Sequence, residues 1–169
     1  MRVVVADTGP LQYLVLIDAI EVLPRLFGAV LVPEIVKAEL SQPRTPATVQ
    51  AWLAAHPAWL EPRATPPVTT LPLPQLGKGE RAAISLAQTA QADLILMDDR
   101  AGVIAARSLG FRVMGTLGIL DLAARHELID LASAFVRLRM TSFRYRQELM
   151  DEVLTRYAAD RRNAKEQEP

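Results

Sequence analysis

Carboxylates at three points of the chain are the side chains best placed to do chemistry. Asp7 follows an apolar, strand-like run, and the adjacent pair Asp98 and Asp99 follows another. Glu80 falls on the first turn of a predicted helix. Two carboxylates about 4 Å apart repel each other by roughly 4 kcal/mol at an effective dielectric constant of about 20, so a cluster of them is costly without a cation. The pattern therefore indicates a divalent-cation site built from these four acids.

The absence of other metal-binding side chains narrows the kind of cation. The chain has no Cys, and its two histidines, His56 and His126, lie far apart and outside any H-E-x-x-H arrangement. The lack of Cys excludes thiolate metal sites and cysteine nucleophiles, and the separation of the two histidines disfavours a histidine-built zinc site. Carboxylate oxygens suit Mg²⁺ or Mn²⁺, which can activate water and stabilise the attacking and leaving oxygens in phosphodiester cleavage. The acids thus predict hydrolysis of a nucleic-acid backbone.

Each acid also has a purely structural interpretation. Asp98 or Asp99 can cap the helix that follows, Glu80 can interact favourably with its helix dipole, and Asp7 can be a turn residue. These alternatives explain the acids one at a time. Their joint placement at matching ends of successive strand–helix units favours the metal site.

The elements that must position these acids alternate between strand and helix. Apolar runs at 3–6, 29–32, 94–97 and 111–114 predict strands, and most of the intervening segments have helical spacing. Such alternation predicts a three-layer α/β/α fold with a parallel sheet of four or five strands. Residues 57–74 hold six of the 12 prolines and are expected to be a surface connector. The carboxyl ends of parallel strands lie on one edge, where ligands bind, so Asp7 and the Asp98 and Asp99 pair are expected to be neighbours if their strands are adjacent.

The length of the chain limits the number of domains, and its net charge limits the partners that it can attract. With 169 residues, 50% of them hydrophobic, a single domain is the default. Lys plus Arg equals Asp plus Glu at 19 each, so attraction to nucleic acid requires a local patch. The C-terminal region offers arginines interleaved with aromatic residues, which form either a phosphate-contacting stripe or a solvated helix face: Arg137, Arg139, Phe143, Arg144, Tyr145 and Arg146. No signal peptide or membrane-length apolar run is evident, and we expect a cytoplasmic protein without a membrane partner.

Several ordered segments resemble the acidic motifs of PIN-domain proteins. They are Asp7-Thr8-Gly9-Pro10-Leu11, Val36-Lys37-Ala38-Glu39-Leu40, Leu76-Gly77-Lys78-Gly79-Glu80-Arg81-Ala82-Ala83-Ile84 and Leu96-Met97-Asp98-Asp99-Arg100. The segment Gly115-Thr116-Leu117-Gly118-Ile119-Leu120 further resembles a PIN subgroup often encoded beside small antitoxin-like partners. The resemblance runs from about Val3 to Leu128.

This resemblance implies a Mg²⁺- or Mn²⁺-dependent ribonuclease similar to the toxin of VapBC-type toxin–antitoxin pairs. By motif position, the catalytic acids are Asp7, Glu39, Glu80 and one or both of Asp98 and Asp99. Glu39 is preferred over Glu34 of the same helix only through the motif. The family often has Thr or Ser two positions before its last acid, whereas this chain has Met97 there, which leaves open which Asp of the pair binds metal.

The resemblance also suggests how the chain is organised. We expect a PIN-like nuclease domain at 1–128, a C-terminal helical extension packed on it at 129–158 and a charged, flexible tail at 159–169. Similar proteins commonly pair, and we expect a homodimer, with the helix beginning near Thr116 as a contributor unless the C-terminal helices cover it.

Two other functional hypotheses belong to different classes of protein, a nucleotide-binding fold and a non-catalytic binding module. Gly77-Lys78-Gly79 follows a Pro-rich connector and lacks the phosphate-loop pattern, which disfavours a nucleotide-binding fold. A catalytically silent PIN-like module for nucleic-acid binding or protein interaction is the alternative to the nuclease, and metal titration separates the two.

Overall fold

The protein is described by a computed structural model that covers residues 2–66 and 75–166. It divides into two compact units, the first ending at Thr116 and the second beginning at Leu117. The first unit holds the whole sheet and all the acids named above, and the second is helical.

The first unit is built on a sheet of five parallel strands. In sheet order these are β3 (Leu60–Arg63), β2 (Val30–Pro33), β1 (Val4–Ala6), β4 (Leu94–Leu96) and β5 (Val113–Met114). Every residue of β1 and β4 is buried, as expected of strands covered on both faces. The prediction of a three-layer α/β/α fold with four or five parallel strands is confirmed.

Within the described residues of the first unit, six helices accompany this sheet. They are α1 (Thr8–Leu16), α2 (Val22–Phe27), α3 (Glu34–Leu40), α4 (Ala47–Ala54), α5 (Lys78–Thr89) and α6 (Arg100–Ser108). Helix α1 packs against α3 and α4, whereas α5 packs on the central strands and touches α6. The short helix α2 was not anticipated from the sequence.

The chain reverses its direction across the sheet beside β1. From β1 it moves to β2 and β3, and after β3 it crosses back to β4 and β5 on the other side. Because crossovers are right-handed, connections running in opposite directions place their helices on opposite faces of the sheet. The gap between β1 and β4 is therefore the topological switch point, where open α/β sheets form their ligand crevice.

Strand β3 corrects one prediction. It lies inside residues 57–74, which the sequence predicts to be a surface connector, yet it pairs along its whole length with β2. Pro62 has no N–H to donate, and proline is tolerated in a strand at the edge of a sheet. Because β3 is the edge strand, its proline content and short length hid it from pattern analysis. Residues 67–74 of the same stretch lie outside the described residues.

The second unit contains the last helices. Helix α7 (Thr116–Arg125) starts at the boundary, and α8 (Leu131–Arg139) packs against α9 (Gln147–Glu166). Helix α9 extends to Glu166, into the stretch that the sequence predicts to be a charged tail. The division at 1–128, 129–158 and 159–169 stays a prediction. Over the described residues, no helix is both long enough and apolar enough to cross a bilayer.

Candidate active site

Asp7 and Asp98 lie side by side at the switch point. In the register of the sheet, Ala6 at the end of β1 pairs with Leu96 at the end of β4. The backbone N–H of Asp7 donates to the carbonyl oxygen of Leu96 at 2.9 Å and extends this pairing by one residue. Asp98 follows Leu96 by two residues. The two acids are thus neighbours at the carboxyl edge of the sheet, as the sequence predicts.

Asp7 is the most unusual side chain of this edge. It is only 4% exposed, and its Oδ1 has no hydrogen-bond partner among the described residues. It occupies the N-cap position of α1, yet its side chain makes no capping hydrogen bond. A buried polar atom without a partner costs about 1–3 kcal/mol, so a merely structural turn or cap residue does not account for this arrangement.

The surroundings of Asp7 disfavour its ionised form. Burial raises the pKa of Asp7 to about 7, and the nearby backbone N–H of Thr8 partly opposes this. The negative charges of Glu80, Glu39 and Asp98 each raise this pKa further. All four carboxylates are therefore close enough to interact electrostatically.

Glu39 reaches the site from α3. Its Oε2 accepts a hydrogen bond of 2.6 Å from Oγ1 of Thr8, which anchors the carboxylate beside Asp7. A Cβ placed on Gly79 would lie 2.9 Å from Oε2 of Glu39 and 3.1 Å from Oδ1 of Asp7. The two carboxylates therefore share the space that Gly79 leaves open on α5. Glu34, at the exposed start of α3, has no such contact among the described residues.

Glu80 enters from the first turn of α5. Its carboxylate folds back over Gly77 at the N-cap, and a Cβ on Gly102 of α6 would lie 3.2 Å from its Cγ. A carboxylate in this position also interacts favourably with the helix dipole. Glu80 can therefore stabilise the start of α5 and also raise the pKa of Asp7.

Asp98 and Asp99 are adjacent in the chain but have different hydrogen-bond partners. Asp98 is half-buried, and its Oδ1 and Oδ2 accept hydrogen bonds of 2.7 and 2.6 Å from the N–H and the hydroxyl of Thr116. Burial raises the pKa of Asp98, and both bonds from Thr116 lower it. Asp99 is exposed and caps α6, where its Oδ1 accepts a bond of 2.8 Å from the N–H of Gly102. Asp98, and not Asp99, thus lies within electrostatic reach of Asp7.

The acids surround a common region without forming a closed ligand set. Within residues 2–66 and 75–166, no three acidic or histidine side chains are gathered closely enough to hold a metal ion as they stand. Separate partners hold these acids in place, because Glu39 is bound by Thr8, Asp98 is bound by Thr116, and Glu80 lies against Gly77.

Comparison with known proteins identifies the family. A family model described as a PIN domain matches residues 3–159. The chain belongs to the PIN-domain family. The match extends beyond Leu128, where the sequence resemblance ends, and no curated protein matches the chain. PIN domains are in general nuclease-like proteins that act on nucleic acids and typically use divalent metal ions.

The donor set of this PIN domain fits a hard divalent cation. Every candidate ligand is a carboxylate oxygen, the type that Mg²⁺ and Mn²⁺ prefer. The unpartnered Oδ1 of Asp7 is the strongest sign, because a cation would satisfy it and offset the repulsion among its neighbours.

Sequence analysis of this PIN domain missed two threonines of the site. Thr8 and Thr116 each donate a side-chain hydroxyl to a clustered carboxylate, whereas Met97, where the family often has a hydroxyl, is fully buried in the core. The signal for Thr8 was its place next to Asp7. Thr116 lies 18 residues from Asp98, and no local pattern connects them.

The arginine-rich stretch of this PIN domain lies in the second unit. Phe143 and Tyr145 stack with ring centroids 6.3 Å apart and are half-buried, while Arg144 and Arg146 are exposed. This alternation is compatible with both interpretations drawn from the sequence, so the stretch carries no assigned role.

Proposed function

We propose that this PIN domain is a metal-dependent endoribonuclease that hydrolyses RNA phosphodiester bonds. The observation that carries the proposal is the buried carboxylate of Asp7, which has one unpartnered oxygen and three other carboxylates within electrostatic reach. The proposed cation is Mg²⁺ or Mn²⁺, and its proposed ligands are Asp7, Glu39, Glu80 and Asp98. Asp99 is proposed to cap α6 instead.

The acids and the threonines have different parts in this proposal. Asp7 offers an oxygen with no protein donor, and Thr8 holds Glu39 beside it. A bound divalent ion supplies an activated water and offsets the negative charge that develops on the phosphate. Without such an ion, the cluster repels the RNA backbone by like charge. The chain has no net positive charge to offset this repulsion, which also supports a requirement for a divalent cation.

Cleavage of a fluorogenic RNA tests this function. The purified protein is expected to cut RNA in Mn²⁺ or Mg²⁺, to stop in EDTA, and to leave DNA of the same sequence intact. Asp98→Asn should lower cleavage by at least about tenfold, in line with the loss of a metal-linked carboxylate. Asp93→Asn is the matched control, because Asp93 is an exposed acid at the opposite end of the same strand.

The catalytically silent alternative has distinct outcomes in the same assay. A well-folded protein that binds RNA without cutting it in either ion would support a binding module and overturn the nuclease. Equal activity of Asp98→Asn and Asp93→Asn would leave the enzyme but remove the proposed site.

We further propose that the enzyme acts in the cytoplasm as the toxin of a type II toxin–antitoxin pair. The similarity of residues 115–120 to the subgroup encoded beside antitoxin-like partners supports this role. Expression of the chain alone should arrest growth, and co-expression of the small protein encoded in the adjacent reading frame should relieve the arrest. Growth unaffected by a demonstrably active enzyme would contradict the toxin role.

We also propose that the protein is a homodimer. Helix α7 was the expected contributor, and two of its four large apolar residues, Ile119 and Leu120, are already buried within the chain. Leu117 and Leu122 are half-buried and leave apolar surface for a second copy.

A further inference from the structure

Thr116 donates two hydrogen bonds to a single carboxylate of the acid cluster, that of Asp98. Its N–H donates to Oδ1 of Asp98 at 2.7 Å and its hydroxyl to Oδ2 at 2.6 Å. The side chain is 0% exposed, so the hydroxyl has no competing water at the surface. Two short bonds from one residue define the plane of the Asp98 carboxylate as well as its position.

Two glycines enclose the same carboxylate. A Cβ on Gly115 would lie 2.9 Å from Oδ1 of Asp98, and a Cβ on Gly9 would lie 3.3 Å from Oδ2. The side chain of Asp98 is therefore held between the first turn of α1 and the residue that follows β5. A side chain at Gly115 would displace the Asp98 carboxylate from this orientation, and one at Gly9 would crowd it.

Each oxygen of Asp98 keeps a lone pair after accepting one bond. An ionised carboxylate has about four acceptor sites, and Thr116 uses two of them. The bonds from Thr116 therefore orient Asp98 without consuming its capacity to bind a cation. Hydrogen-bond partners of this kind commonly fix metal-binding carboxylates, and their loss typically costs 10–100-fold in metal affinity or activity.

From this geometry we infer that Thr116 is a positioning residue, whose hydroxyl holds the Asp98 carboxylate in the orientation that the metal site requires. The inference rests on the proposed function, since it assigns Asp98 to that site. Thr116 itself is buried and acts through Asp98, so it is not a catalytic residue.

Three variants separate the hydroxyl from the packing of the side chain. Thr116→Val replaces the hydroxyl by a methyl group at nearly constant volume, while Thr116→Ser and Thr116→Ala differ from each other by one oxygen. Thr89→Val is the control, because Thr89 donates its hydroxyl to the backbone of Ser85 at the far end of α5. If the valine variant does not fold, the serine and alanine pair still isolates the hydroxyl.

Calorimetric binding of Mn²⁺ is the first measurement. Thr116→Val and Thr116→Ala are expected to bind Mn²⁺ about 10–100-fold more weakly, whereas Thr116→Ser and Thr89→Val stay close to the wild type. In RNA cleavage, the loss should fall on kcat with KM unchanged, because Thr116 does not touch the substrate. Wild-type affinity in the valine and alanine variants, or failure of serine to restore binding, would overturn the inference.

Crystal structures without metal make the result independent of the nuclease. Asp98 should keep one orientation in the wild type and in Thr116→Ser, and take several or a rotated one in Thr116→Ala. If the wild type neither binds Mn²⁺ nor cuts RNA, the proposed function is wrong. The role of Thr116 at a metal site is then wrong as well, because it rests on that function. If the wild type does both while Asp98 keeps its orientation in every variant, only the positioning inference fails.

Discussion

At the scale of single residues, the site depends on one carboxylate kept in an unfavourable state. Asp7 is buried beside like charges, and its Oδ1 has no hydrogen-bond partner among the described residues, so its ionisation is costly in the metal-free protein. Such strain persists only where the surrounding structure compensates for it, and it is common at functional sites. The cation site that we propose would relieve this strain, because a bound cation satisfies Oδ1 and offsets the neighbouring charges.

The first residue-scale prediction concerns the pH dependence of stability. The pKa of Asp7 rises from 3.8 to about 7 on folding, so the folded protein binds this proton more tightly than the unfolded chain does. The stability linked to Asp7 is therefore present below about pH 4 and is lost as the pH rises through 7. In EDTA, Asp7→Asn should be more stable than the wild type at pH 8, by up to roughly 4 kcal/mol, and equally stable at pH 4.

Urea unfolding at pH 4, 6 and 8 measures this difference. Some pH dependence should remain in Asp7→Asn, because burial also raises the pKa of Asp98. A constant difference between the two proteins at all three pH values would contradict the electrostatic account of Asp7.

The second residue-scale prediction separates the two neighbouring aspartates. Asp99→Ala should lower the free energy of unfolding by about 1 kcal/mol through loss of its helix cap, and should leave Mn²⁺ binding and RNA cleavage intact. Asp130→Ala is the matched control, since Asp130 caps α8 through a bond to Ser133 of the same 2.8 Å length. Cleavage lost in Asp99→Ala but kept in Asp130→Ala would return Asp99 to the catalytic set.

At the scale of elements, helix α5 does two jobs that compete. Its apolar residues bury against the sheet, with Ala83, Ile84 and Ala87 completely inaccessible. Its first turn must also leave space for the carboxylates of Asp7 and Glu39, and Gly79 provides that space at a cost in helix propensity. The start of α5 is therefore optimised for the site and not for the helix.

Replacing that glycine tests the competition. Gly79→Ala should raise intrinsic helix propensity by up to about 1 kcal/mol, yet its Cβ would press on the ends of both carboxylates. We expect the variant to be folded and to lose at least about tenfold in cleavage and Mn²⁺ affinity. Gln88→Ala, an exposed substitution near the other end of α5, is the control. Full activity in Gly79→Ala would show that the carboxylates do not need this space.

At the scale of the whole molecule, charge and apolar surface are the relevant properties. The chain has no net charge, so its affinity for a polyanion depends on cations or local patches. Among the described residues, the large apolar side chains with the greatest exposure are Met140, Ile104 and Val136, at 84%, 59% and 56%. The dimer that we propose is expected to bury apolar surface of this kind, because exposed apolar patches often mark interfaces.

The whole-molecule prediction is therefore a dimer in solution. Light scattering over a range of micromolar concentrations should give twice the mass of 18.6 kDa. Addition of EDTA should leave this mass unchanged, because the apolar contact proposed for the dimer does not need a cation. A mass of one chain that does not change with concentration would refute the dimer and leave the nuclease proposal untouched.

The sequence by itself determined the kind of sheet and where its acids lie along the chain. Apolar runs such as 94–97 predict buried strands, because a strand that is buried on both faces does not alternate apolar with polar residues. The carboxyl ends of parallel strands share an edge, so local pattern and general topology placed Asp7 and Asp98 on that edge. Their being neighbours depended on the adjacency of β1 and β4, which the register of the sheet shows. Glu39 came from the family motif alone, because Glu34 offers the same chemistry on the same helix.

Only the tertiary structure decided the contacts made across long stretches of chain. Asp98 and Asp99 are equivalent in sequence, and they separated because one faces Thr116 while the other meets the N-terminus of α6. Strand β3 exists despite Pro62 because an edge position needs no N–H from that residue. These outcomes depend on which groups become neighbours after the sheet has assembled, and no local pattern of residues contains that information.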